Sequence, residues 1–215
     1  MATTSREWEI NCDLGTSSNV RKEEKFPYIV ALARAVNALK AAHSLLPSTR
    51  KAETPERLRN IMNSYFFSSA LLYEGLRLIR RMNREFADDE VFQTGLRMLF
   101  KDPTALKIER DHLNPARNHA VFHFLPDEFR KAICKSDADR IVFVMGAGKK
   151  ARSLHYGYAD VLAAEILVGM SSDDPKFWAT FNTAAKETGE LVIKFTDDAE
   201  LLIGTYLRTW GFKRE

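Results

Sequence analysis

The stretch TPERLRNIMNSYFFSSALLYEGLRLIRRM, residues 54–82, decides the fold because it predicts the longest helix of the chain. Thr54 is expected as the N-cap and Pro55 as the first helical residue. One side carries residues three or four positions apart: Leu58, Ile61, Tyr65, Ser68, Leu72, Leu76 and Ile79. The other sides are also largely apolar, which predicts a central helix or one that also faces a partner subunit.

Further helices are predicted around this segment, because most prolines fall at helix starts and apolar residues recur at helical spacing. Their expected extents are 27–46, 89–100 with Asp88 or Asp89 as cap, 102–112, 114–125 with Asn114 as N-cap, one starting at Pro126, 159–170, and one from after Pro175 towards Leu207 with Gly189 as a candidate break. The β-branched run at 141–145 predicts one arm of a β-hairpin near 141–156.

These elements predict an all-α protein, a helical bundle with a small β-hairpin insertion. Residues 1–25 form a polar lead-in, and residues 26–215 form a single helical domain. A chain of 215 residues with 45% apolar and 28% charged residues has ordinary globular composition, which argues against disorder and coiled-coil rods.

Charge and targeting patterns restrict the partners and the compartment. The net charge is +3, which permits an anionic partner without requiring one. No signal peptide and no long uncharged apolar run is seen, so we expect a cytoplasmic protein without a membrane partner. Cys12 and Cys134 are far apart in sequence and indicate neither a disulfide framework nor a zinc site.

Common catalytic motifs receive no support from the sequence. The segment GAGKK at 146–150 lacks the phosphate-loop spacing and is better explained as a turn. His119 and His123 are four residues apart and could face one metal ion, but the spacing indicates no third ligand. We therefore predict neither a metal nor another cofactor.

Arg117 is the residue most in need of explanation. On a helix through 117–125 it lies at the centre of an apolar arc. Its side chain either reaches out of the first turn of the helix or is buried, and a buried guanidinium requires a carboxylate or phosphate partner. Within the chain, the best candidate is Glu74, on the otherwise apolar long helix, although Arg77 three residues later competes for it.

Arginine, histidine and a neighbouring amide are the groups that metal-free phosphodiester cleavage needs. Arg117 would hold the non-bridging oxygens, and His123 would move a proton at the attacking or leaving oxygen. The two side chains start about 9 Å apart along the helix axis. A shared site therefore requires a substrate that spans both residues or a second subunit that completes the site.

The segment RNHAVFH, residues 117–123, resembles the R-x4-6-H motif of the HEPN superfamily of helical proteins. The resemblance implies a metal-independent RNA endonuclease of the toxin or antiviral type, active as a homodimer. By that analogy Arg117 and His123 are catalytic and Asn118 is supporting, and we place His119 and Glu74 around them. An antitoxin or other inhibitor is then a conceivable partner.

Two basic clusters are candidate RNA contacts, and a non-enzymatic interpretation stays open beside them. Arg77 and Arg81 belong to a basic cluster at the end of the long helix, and Lys149 and Lys150 lie in the hairpin turn; both clusters could equally be solvated surface. In the alternative function, the protein is a non-catalytic interaction or nucleotide-binding module. Arg117 then bridges two helices through Glu74, and His123 is structural.

Overall fold

A computed structural model describes residues 10–11, 19–44, 55–121, 125–135 and 157–214. These residues are almost entirely helical, as the all-α prediction requires. The elements are β1 Ile10–Asn11, α1 Phe26–His43, α2 Pro55–Glu85, α3 Glu90–Thr94, a 3₁₀ helix Leu96–Phe100, α4 Pro103–Ile108, π-helical segments Glu109–Leu113 and Ala116–Val121, α5 Pro126–Lys135, α6 Gly157–Val168, α7 Phe177–Thr209 and β2 Lys213–Arg214.

The long helix α2 is central, because it contributes to both clusters of buried side chains. Its N-terminal half packs with the second π-helical segment, α6 and the start of α7 around Met62, Phe66 and Phe181. The C-terminal half packs with α1 and the rest of α7 around Leu72, Leu76 and other buried residues. Burial of several sides of α2 explains why its apolar pattern extends around the helix.

Asp89 and Asp102 start the next helices as caps. The Asp89 carboxylate accepts from the Phe92 amide at 2.8 Å, and Asp102 accepts from the Thr104 amide at 2.9 Å. Asp89 was one of the two predicted caps of its helix, and Asp102 was predicted as the first residue of the next helical stretch. The helix expected through Phe100 is interrupted at Gly95 and continues as the 3₁₀ helix.

The prediction that Asn114 caps a new helix is wrong. Asn114 has helical angles, φ −64° and ψ −46°, and the chain stays helical from Pro103 to Val121. An N-cap needs extended backbone angles. Pro115 removes one hydrogen bond of the ladder and crowds the preceding turn. We attribute the π-helical segments on either side of it to this interruption.

The predicted break at Gly189 is also wrong, since α7 runs through it from Phe177 to Thr209. The helix expected at 159–170 spans Gly157–Val168, and the helix predicted to start at Pro126 does so. The hairpin predicted near 141–156 lies outside the described residues. Near the chain ends, β1 pairs antiparallel with β2, with Ile10 opposite Arg214.

No helix in the described part of the chain is both long enough and apolar enough to cross a membrane.

Gly75 in α2 and Gly189 in α7 differ in their surroundings. A Cβ atom at Gly75 would lie 2.8 Å from Cζ of Phe195, whose ring is fully buried. We expect Gly75→Ala to lower the free energy of unfolding by about 1–3 kcal/mol through overpacking. At Gly189 no described atom lies within 4 Å of such a Cβ, so Gly189→Ala should raise it by about 0.5–1 kcal/mol. Urea denaturation measures the free energy of unfolding of both variants. Equal changes in the two would contradict the close contact between Gly75 and Phe195.

Candidate functional site

Small side chains bring the Arg117 segment close to α2. Ala116, in the second π-helical segment, and Ala70, in α2, are both fully buried and belong to the same cluster. Small residues at a helix crossing allow the two backbones to approach closely. Arg117 follows Ala116 directly, so its side chain starts beside α2 one helical turn after Ala70.

Arg117 is bonded to Glu74, as predicted. Its Nε donates to Oε1 of Glu74 at 3.0 Å, and its Nη1 donates to Oδ1 of Asn118 at 2.8 Å. The side chain of Arg117 is 29% exposed and that of Glu74 is 43% exposed. The pair is therefore half-buried at the surface rather than enclosed in the core. Two bonds from different sides fix the plane of the guanidinium.

Glu74 is shared with a second arginine. Nη1 of Arg77 lies 3.3 Å from Oε1 and 3.4 Å from Oε2 of Glu74. These distances are long for charge-assisted hydrogen bonds. Both pairings considered for Glu74 thus occur together, and the one with Arg117 is the shorter.

Asn118 extends the network back along its own helix. Its Nδ2 donates to Oδ1 of Asn114, four residues earlier. Asn114 therefore supports Asn118 instead of capping a helix. We use the name arginine network for Glu74, Arg77, Asn114, Arg117 and Asn118.

The structure describes only some of the other predicted site residues. Arg81 is exposed on α2, one turn after Arg77. For His119 only the backbone is described, in the second π-helical segment. His123, Lys149 and Lys150 lie outside the described residues, so the proximity of Arg117 to His123 stays a prediction. Within the described residues, no three His, Cys, Asp or Glu side chains are grouped so that they could hold a metal ion.

The chemistry available to the arginine network is anion recognition. It contains two guanidinium groups and one carboxylate, a formal charge of +1, together with two amides. A guanidinium whose plane is fixed loses less conformational entropy when it binds a phosphate oxygen. The network contains no histidine, so a proton-transfer group must come from elsewhere.

A buried polar cluster was missed by the sequence reasoning. The Tyr65 hydroxyl, His112 Nδ1 and Thr188 Oγ1 are buried and make no hydrogen bond within the described residues. Burial raises the pKa of Tyr65 to about 12. Tyr65 was placed on the apolar stripe of α2, and its hydroxyl was the available signal, because buried tyrosines usually need a polar neighbour.

No protein-family model matches this chain, and no match was found among curated proteins or solved structures. The resemblance to HEPN proteins therefore stays a prediction carried by the motif at 117–123.

The contact between Glu74 and Arg117 can be measured with a double-mutant cycle. For Glu74→Ala and Arg117→Ala we expect a coupling of about 0.5–1 kcal/mol in the free energy of unfolding, the upper range for half-exposed pairs. Asp127 and Arg130 on α5 form the control pair, with side chains 76% and 74% exposed, and should show almost no coupling. Equal couplings in the two cycles would contradict a special role for Glu74.

His112 predicts a pH dependence of stability. Burial lowers its pKa below the ordinary 6.5, although Asp111 and Glu187 oppose this effect. The unfolded chain therefore binds a proton more readily than the folded one, and the free energy of unfolding should fall as the pH drops through about 6.5. His112→Gln should reduce that fall, measured by urea denaturation at pH 7.5 and 5.5. His43→Gln, at an exposed site on α1, should leave it intact, and a fall unchanged in His112→Gln would refute the assignment.

Proposed function

We propose that the protein is a HEPN-like, metal-independent RNA endonuclease of the toxin or antiviral type, acting in the cytoplasm as a homodimer. Arg117 and His123 are its catalytic residues. Asn118, His119 and Glu74 support them, while Arg77, Arg81, Lys149 and Lys150 contact the RNA backbone. An antitoxin or another inhibitor is a partner class that fits this function.

One observation carries the proposal: the Arg117 guanidinium is held in a fixed plane at a half-exposed position by Glu74 and Asn118. An arginine needed only for packing has no requirement for an amide beside it. A fixed guanidinium, by contrast, offers an oriented donor set to the oxygens on which negative charge grows. Asn118 directly follows Arg117, as the motif resemblance implies.

The reaction follows from these groups. The 2′-hydroxyl attacks the adjacent phosphorus, the bond to the 5′-oxygen breaks, and the products are a 2′,3′-cyclic phosphate and a free 5′-hydroxyl. His123 removes the proton of the 2′-hydroxyl or protonates the 5′-oxygen. Arg117 stabilises the charge on the non-bridging oxygens. In the homodimer, the motifs of the two subunits meet at one interface.

The second candidate is a non-catalytic interaction module. The same contact favours it, because an ion pair between α2 and the 103–121 helix also stabilises their packing. In that case the arginine network is structural, and RNA is not cleaved.

Cleavage of labelled single-stranded RNA in excess EDTA separates the two functions. We expect cleavage by the wild-type protein and a loss of at least about 100-fold in Arg117→Ala and in His123→Ala, since each removes a group that acts in the transition state. The matched control is Arg110→Ala, because Arg110 is exposed on the same helix and paired with its neighbour Asp111.

Circular dichroism and thermal unfolding verify that each variant is folded. Absence of cleavage by the folded wild-type protein would favour the interaction module. Cleavage that EDTA abolishes would point instead to a metal ion held by His119 and His123, and it would contradict the metal-independent mechanism.

A further inference from the structure

A basic cavity lies beyond the arginine network, towards the C-terminal end of α2. It has a volume of about 280 Å³ and is lined by Arg80, Asn83, Arg97, Phe100 and Lys101. Two of these residues come from α2 and two from the 3₁₀ helix, so two elements of the fold converge there. We call it the basic pocket.

The charges of the basic pocket are unevenly compensated. Arg80 donates to both carboxylate oxygens of Glu109 and lies over the Phe100 ring, 5.1 Å from its centre. Arg97 donates from Nη1 to Oε1 of Gln93, which is a neutral partner. Lys101 is exposed, and no described residue forms an ion pair with it.

The nearby carboxylates of Asp102 and Glu109 do not balance the positive charges of Arg97 and Lys101. Asp102, next to Lys101, accepts from the amides of its own helix and from Nζ of Lys194 at 3.2 Å. The carboxylate of Glu109 is occupied by Arg80. Arg97 and Lys101 therefore form no ion pair with a described carboxylate, and a bound anion would reduce the repulsion between them.

We propose that the basic pocket binds phosphate groups, with Arg97 and Lys101 as the principal ligands and Asn83 as an additional donor. A guanidinium matches two phosphate oxygens, and an ammonium adds a point charge beside it. Two cations balance either one phosphate monoester or two successive phosphodiesters. The phosphate can thus belong to a free nucleotide or to a nucleic-acid strand. This inference does not depend on RNA cleavage or on His123.

The position of the pocket is compatible with one strand reaching both sites. Arg80 lies six residues after Glu74 on α2, which corresponds to about 9 Å along the helix axis. Arg77 lies between them, and neighbours three residues apart share one face. If the proposed nuclease function holds, the pocket anchors the substrate beside the catalytic arginine.

Binding to the full-length protein tests the proposal with two probes. The first is a fluorescein-labelled 2′-O-methyl oligouridine, which has no free 2′-hydroxyl and so binds without being cleaved. The second is AMP, measured by calorimetry. The test variant is Arg97→Gln with Lys101→Gln. The control is Arg130→Gln with Lys186→Gln, which removes the same charge from two exposed residues that each have an acidic partner.

We expect the test variant to bind at least tenfold more weakly than the control variant for whichever probe binds. If the oligouridine is the ligand, the slope of log K against log salt should also decrease by about 1.4, as for two lost contacts to a single strand. Binding of AMP with the same loss would identify a phosphate monoester as the ligand, which also supports the proposal.

Two results would overturn it: binding of neither probe by the wild-type protein, or equal weakening in the test and control variants. The single variant Lys101→Gln controls for misfolding of the double variant. Because Lys101 is exposed, this variant should stay folded and lose only part of the affinity. Cleavage and binding assays on the wild-type protein distinguish the two proposals, since failure of the nuclease function leaves binding of the uncleavable probe unaffected.

Discussion

The register of the 103–121 helix against α2 is set by buried apolar residues, among them Ala70 and Ala116, and by the ion pair between Glu74 and Arg117. A carboxylate on a helix that is apolar on most sides is costly unless an opposite charge reaches it. Arg117 supplies that charge from a segment 43 residues away in sequence. Ala116 and Ala70 provide the close approach, and the ion pair fixes which turn of one helix lies beside which turn of the other. Packing and charge thus select the same register.

Pro115 is the second constraint, because it decides how Arg117 is presented. A proline at this position could have ended one helix and started another, which would have left Asn114 as a cap. The chain instead continues with π-helical geometry on both sides. The side chain of Asn114 is then available to Asn118, and Asn118 to Arg117. The continuous helix therefore places Asn114 and Asn118 one turn apart, within hydrogen-bonding reach, and π-helical segments are frequent at functional sites.

Much of the fold was predictable because its signals are local. The stripe on α2, the caps at Asp89 and Asp102 and the start at Pro126 each depend on a few neighbouring residues. The Glu74 pair was predictable from the cost of two charges in apolar surroundings. The continuity through Pro115 and Gly189 was not, because tertiary packing there outweighs the local preference to break a helix. The basic pocket was missed since Arg97 and Lys101 approach Arg80 only in the folded chain. His123, Lys149 and Lys150 lie outside the described residues. Their part of the predicted site therefore stays a prediction.

The arginines of α2 differ from Arg97 and Lys101 of the basic pocket in how their charge is balanced by carboxylates. Arg80 meets Glu109 and Arg84 meets Glu85, whereas the carboxylate of Glu74 is shared by Arg77 and Arg117. The uncompensated charge lies instead on Arg97 and Lys101, at the far side of Arg80. The formal positive charge of Arg97 and Lys101 is therefore larger than the net charge of +1 in the arginine network. A polyanion approaching this surface would be attracted first to the pocket, by long-range forces that fall off with salt. Arg117, held in place by Glu74 and Asn118, is suited to short-range contact with a phosphate that is already bound nearby.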